Sequence, residues 1–122
     1  MENLTKETFK EKLFDYENEE KIEFKFKKPV VLTFSASFCK PCKSLAPVLE
    51  ELNEEFKEQI NFYKIDIDDQ FEITEYFKIK SIPTVIFFPN DESTIKKQVG
   101  VVSKKTYKEL IENILLKETE VI

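Results

Sequence analysis

Hydrophobic and polar positions change period several times along this 122-residue chain, and each change predicts an element. From Leu4 to Tyr16, Phe9, Leu13 and Phe14 share one side at helical spacing, and Thr8 with Glu11 reads as a capping box, so a first helix is expected. After the acidic stretch Glu17 to Glu20, Ile22, Phe24 and Phe26 alternate with charged residues before Lys27-Lys28-Pro29, which fits a short edge strand or an extended loop. Val30 to Ala36 is apolar and rich in β-branched residues, as in a strand covered on both faces. From Pro41 onward, Leu45, Val48, Leu49, Leu52 and Phe56 recur at spacings of three and four with Glu and Lys opposite. That pattern predicts a long amphipathic helix, kinked at Pro47.

Ile60 to Ile67 reads as the next strand and Gln70 to Phe77 as a short helix with Phe71, Tyr76 and Phe77 apolar. Pro83 opens a strand over Thr84 to Phe88, Asn90-Asp91 marks a turn, and Thr94 to Val99 pairs back as a hairpin ended by Gly100, the chain's one glycine. Ser103 can cap a last helix in which Tyr107, Leu110, Ile111, Ile114 and Leu115 follow helical spacing. The order is an initial helix followed by βαβαββα. With no repeat or Pro/Gly/Ser linker, residues 1–122 are expected to form one α/β domain, a central mixed sheet flanked by helices, and a monomer.

All 19 basic residues are lysine, set against 24 acidic ones, and the resulting charge of -5 is spread along the chain, which argues against a nucleic-acid partner. The longest purely apolar runs, such as Val85 to Phe88, are far short of the roughly 20 residues that span a bilayer, so no membrane association is expected. Met-Glu-Asn-Leu-Thr-Lys-Glu-Thr lacks the basic end and apolar stretch of an export signal, and a cytoplasmic location is expected. Thiols are kept reduced there, so a lone cysteine pair is better read as reactive than as a staple.

That pair, Cys39 and Cys42 in Phe38-Cys39-Lys40-Pro41-Cys42, falls where the buried strand meets the long helix. Helix-start N–H groups and the helix dipole favour a thiolate on Cys39, lowering its pKa from the free value of about 8.5. The thiolate attacks a disulfide, and Cys42, one turn on, attacks the mixed disulfide to release reduced substrate. Pro41, lacking an N–H, suits the first helical turn. Two cysteines without a histidine fall short of a tetrahedral zinc site, so zinc or an iron–sulfur cluster would need two chains pooling their pairs. No bound cofactor or metal is expected. A non-catalytic module holding a partner or bridging metal is the alternative from another class.

The strand before the site, Cys-x-Pro-Cys, Pro47, Ser81-Ile82-Pro83-Thr84 and Val99-Gly100 together resemble the thioredoxin family, over about Leu4 to Leu116. The resemblance implies a thioredoxin-like, three-layer α/β/α fold and the reduction of disulfides in other proteins. It also implies a cis Ile82–Pro83 bond beside the dithiol, with the Ile82 backbone pairing with the bound substrate chain. Phe38, Ile82, Gly100 and Val101 would form the apolar docking patch, and a thioredoxin reductase would recycle the oxidised form.

Three positions depart from the family, which usually has Trp, Gly and a buried Asp where this chain has Phe38, Lys40 and Thr33. Phe38 keeps a ring but loses the indole N–H. Lys40 places a cation beside the nucleophile, and a more stable thiolate would make a weaker reductant, which leaves an oxidant or isomerase as the alternative within redox chemistry. Thr33 cannot supply the proton transfer to the resolving cysteine credited to the family's Asp. Lys64, matching the lysine that pairs with that Asp, either meets an acid such as Asp66 or reaches water.

Overall fold

The computed structural model describes residues 1–18, 20–91 and 94–117. Its strands are β1 (Glu2–Asn3), β2 (Val30–Ser35), β3 (Asn61–Asp66), β4 (Thr84–Phe88) and β5 (Lys96–Val99), in one sheet of order β1-β3-β2-β4-β5. The pairs β1·β3 and β2·β3 are parallel, while β2·β4 and β4·β5 are antiparallel, so the sheet is mixed. Helices α1 (Lys6–Lys12), α2 (Lys40–Phe56), α3 (Phe71–Tyr76) and α4 (Lys104–Leu110) flank it.

Strand periodicity sorts the core into two layers. Val30, Leu32 and Phe34 point with Ile65, Ile86 and Phe88 toward Phe9 of α1 and Ile73 of α3. Val31, Phe62, Val85 and Phe87 face Leu45, Leu49 and Leu52 of α2 and Tyr107 of α4. β2 therefore has buried side chains on both faces, and this three-layer α/β/α arrangement is the expected fold.

Several local expectations need correction. A short strand, β1, precedes the first helix, so the chain begins β1-α1 rather than with a helix. Its two residues are polar and exposed and are a strand only by pairing with Tyr63 and Lys64, which no hydrophobic period announces. The first helix occupies Lys6–Lys12 rather than Leu4 to Tyr16, and its capping box is Thr5 with Thr8, not Thr8 with Glu11. The Thr8 hydroxyl accepts the Thr5 N–H at 2.7 Å, and the Thr5 hydroxyl accepts the Thr8 N–H at 3.2 Å, a reciprocal pair two hydroxyls make as well as Ser/Thr with Glu. Leu13, Phe14 and Tyr16 are buried beyond the helix end, with Phe9 packed edge-on against Phe14 and Tyr16.

Ile22 to Phe26 forms an extended loop, held where the Lys25 N–H meets the Leu13 carbonyl at 2.7 Å. The hairpin strand is confined to Lys96–Val99; residues 92 and 93 lie outside the described residues. α2 runs through the exposed Pro47 without a break. Ser103 does cap α4, its hydroxyl accepting the Thr106 N–H at 3.1 Å. Beyond Leu110, however, the chain widens into a π-helical turn over Ile111–Leu115, closed by the Leu116 N–H on the Ile111 carbonyl at 3.0 Å, with Ile111 and Leu115 both buried.

Just past the α3 C-cap Phe77, Lys78 sits at φ 54°, in the left-handed region, with the Ile79 N–H closing onto the Thr74 carbonyl at 3.1 Å. Glycine usually fills this place because a Cβ there costs about 1 kcal/mol. Lys78→Gly should raise stability by about 0.5–1 kcal/mol, read as a higher urea midpoint at unchanged m-value. An unchanged or lower midpoint would refute the strain at this residue.

Candidate active site

Cys39 is the N-cap residue of α2. Its backbone is extended at φ -89° and ψ 109°, and its Sγ accepts the Cys42 N–H at 3.2 Å. A helix start leaves its first N–H groups without partners, and here a sulfur occupies the place usually taken by a Ser, Thr or Asp oxygen. Pro41 lies in the first turn, where its missing N–H is not needed, and no acidic residue shares that turn. Cys39 and Cys42 are joined as a disulfide with Cα atoms 5.3 Å apart, and both are buried against Ala36 and the half-buried Ile67 and Ile82. Lys40 is exposed and makes no ion pair among the described residues.

Behind the pair, a cavity of about 220 Å³ is lined by Cys42, Thr33, Lys64, Leu45, Glu50 and Pro83, among others. Thr33 and Lys64 are register partners in the β2·β3 pair, which puts both side chains on the face toward α2. Thr33 is buried and makes no side-chain hydrogen bond among the described residues, so its hydroxyl opens onto this cavity. Of the two fates open to Lys64, pairing with Asp66 is not the one observed: Lys64 has no ion pair among the described residues, while Asp66 Oδ1 accepts the Asp68 N–H at 2.9 Å. At about 30 Å³ per water molecule, the space admits several waters.

Two loops complete the surround. The Ile82–Pro83 peptide is cis, the geometry that the family resemblance implies, and the Ile82 carbonyl oxygen lies 4.0 Å from Cys39 Sγ. The Gly100 N–H donates to the Pro83 carbonyl at 2.8 Å, which ties the second loop to the first. Gly100 has φ 83°, and a Cβ would meet nothing within 4 Å, so conformation rather than space calls for glycine. Phe38 is 69% exposed and Val101 49%, with Val99 beside them at 53%, so an apolar surface borders the dithiol.

Tyr107 is a site residue that helical spacing reads only as core. It is fully buried, yet its hydroxyl donates to the Gly100 carbonyl at 3.2 Å and accepts the Val102 N–H at 3.4 Å, so α4 holds the Gly100–Val101 loop. The only sequence signal is its polar tip on an otherwise apolar face.

Comparison with known proteins agrees with this geometry. The family profile described as Thioredoxin matches residues 1–113. A thioredoxin of Borreliella burgdorferi is 34% identical over 111 residues, covering 91% of this chain and 94% of its own. One of Mycoplasmoides gallisepticum is 43% identical over 69% of this chain and 82% of its own. A bifunctional thioredoxin reductase/thioredoxin of Mycobacterium leprae is 42% identical over 63% of this chain and 17% of its own. The chain belongs to the thioredoxin family, and it is a thiol–disulfide oxidoreductase that reduces protein disulfides through its Cys39/Cys42 pair.

Tyr107→Phe removes one donor and one acceptor from the loop, and should cost about 1 kcal/mol in urea unfolding at neutral pH. Burial raises the Tyr107 phenol above its ordinary pKa of 10.0. Its neutral form therefore contributes fully below about pH 10, and that contribution is lost as pH rises through the folded value. The variant should lose less stability than the parent on going to alkaline pH; equal losses would show that the phenol carries no such linkage.

Proposed function

We propose that Cys39 is the attacking thiolate and Cys42 the resolving thiol. The observation that carries this reading is the Cys42 N–H directed at Cys39 Sγ at 3.2 Å, while that sulfur borders the Ile82 carbonyl at the edge of the apolar surface. In the reduced protein the same donor favours negative charge on Cys39, an effect reinforced by the start of a 17-residue helix. Lys40 adds a solvent-screened positive charge in the same turn.

Attack by the Cys39 thiolate on one substrate sulfur forms a mixed disulfide and expels the other substrate sulfur as a thiolate. Cys42, deprotonated, then attacks Cys39 Sγ and expels the first substrate sulfur. Two electrons and two protons pass from the dithiol to the substrate, which leaves as a dithiol, and the protein is left as the Cys39–Cys42 disulfide. Where the family has a carboxylate, Thr33 and a cavity with room for water adjoin Cys42, so its proton leaves to solvent past Lys64. The backbone of Ile82 positions the substrate chain next to Pro83, and Phe38, Gly100 and Val101 supply the docking surface.

A thioredoxin reductase returns electrons to the disulfide, a reading supported by the Mycobacterium leprae relative whose name joins the two activities. A reducing compartment such as the cytoplasm suits a dithiol that works by donating electrons.

The division of roles is tested by trapping. Cys42→Ser, reduced and offered disulfide-bonded protein, should accumulate as a mixed disulfide through Cys39 that dithiothreitol releases, whereas Cys39→Ser should not. Equal trapping by both variants, or trapping through Cys42 alone, would reverse the assignment.

A further inference from the structure

Eight of the lysines pair with acidic side chains among the described residues. Lys6, Lys10, Lys12, Lys57, Lys104 and Lys108 each pair with a glutamate. Lys78, Lys80 and Lys97 are among the eleven lysines with no ion pair among the described residues, and what sets them apart is that they converge. These three line one cleft of about 170 Å³, shared with Ser81, Thr84 and Val99, and no acidic side chain lines it. Lys97 Nζ donates to the Phe77 carbonyl at 3.0 Å, which holds its ammonium at the end of α3, beside the left-handed turn at Lys78. Like charges gathered this way set up a positive potential that an anion would relieve.

The cleft adjoins, along the chain, both loops that border the dithiol. Ser81 precedes Ile82, whose carbonyl is 4.0 Å from Cys39 Sγ, and Val99 precedes Gly100, which bonds the Pro83 carbonyl. An extended chain advances about 3.3 Å per residue, so a substrate strand lying along Ile82 reaches Lys80 with a side chain about two residues from its own reactive cysteine.

We propose that this cleft is a carboxylate subsite for the substrate protein, in which Lys78, Lys80 and Lys97 receive an Asp or Glu side chain near the disulfide under attack. It rests on the reading of the Ile82 edge as the place where substrate docks. The lysines act on binding and encounter and take no part in the thiol chemistry.

The test uses the full chain and two synthetic disulfide peptides, identical except for Glu or Gln two residues from the cysteine. At low salt the parent should reduce the Glu peptide with kcat/KM about fivefold above the Gln peptide. In Lys78→Gly/Lys80→Gln the ratio should fall below about twofold with the Gln peptide's rate unchanged, and in the parent it should fall likewise at about 0.5 M salt. Lys80→Gln alone, which leaves the α3 turn untouched, should give an intermediate ratio. Normal reduction of both peptides without a Glu preference, or a preference that survives the double substitution, would overturn the subsite while leaving the reductase standing. Reduction of neither peptide would overturn both.

Discussion

The structure turns on one short contact, the Cys42 N–H pointing at Cys39 Sγ across 3.2 Å at the start of α2. A helix must satisfy its first N–H groups from outside its own hydrogen-bond ladder, and an oxygen normally does so. Using a sulfur places one atom of the dithiol at the positive end of the helix dipole. Structural and chemical demands on Cys39 thus coincide, and its position is as well fixed as the helix is. The helix is fixed in turn by Leu45, Leu49 and Leu52, all buried against the sheet.

β2 delivers Cys39 to that place. It lies between β3 and β4 and carries buried residues on both faces, so its end has little freedom to move. The same alternation that sends Leu32 and Phe34 to one layer sends Thr33 to the other, under α2 and beside Cys42. Loops after β5 and before β4 then close on the dithiol. The Gly100 N–H links them, and the Tyr107 hydroxyl binds the later one to α4. The sheet and the layer of α2 and α4 therefore converge on one small region at the end of the sheet.

Much of this was legible in the residues. The apolar run of β2, the 3–4 spacing of α2 and the Ser103 cap are strong local signals that tertiary structure reinforces, and the dithiol stands at their junction. β1 carries no such signal, because two polar residues become a strand only through an edge that β3 offers. Thr5 and Thr8 compete with Thr8 and Glu11 as caps on equal chemical terms, and the burial of Leu4 at 2% exposure suits the earlier start. The state of Lys64 depended on where Asp66 turned, and Asp66 turned to the Asp68 amide. Tyr107 and the Lys78, Lys80 and Lys97 cleft involve residues distant in sequence, which no periodicity brings together.

The central claim, that this dithiol reduces disulfides in proteins, is met most directly by following insulin reduction with dithiothreitol as the electron source. The parent protein, free of metal, should accelerate precipitation of the reduced chains at catalytic amounts, and Cys39→Ser should give only the rate of dithiothreitol alone. Equal rates for the two proteins would contradict the account.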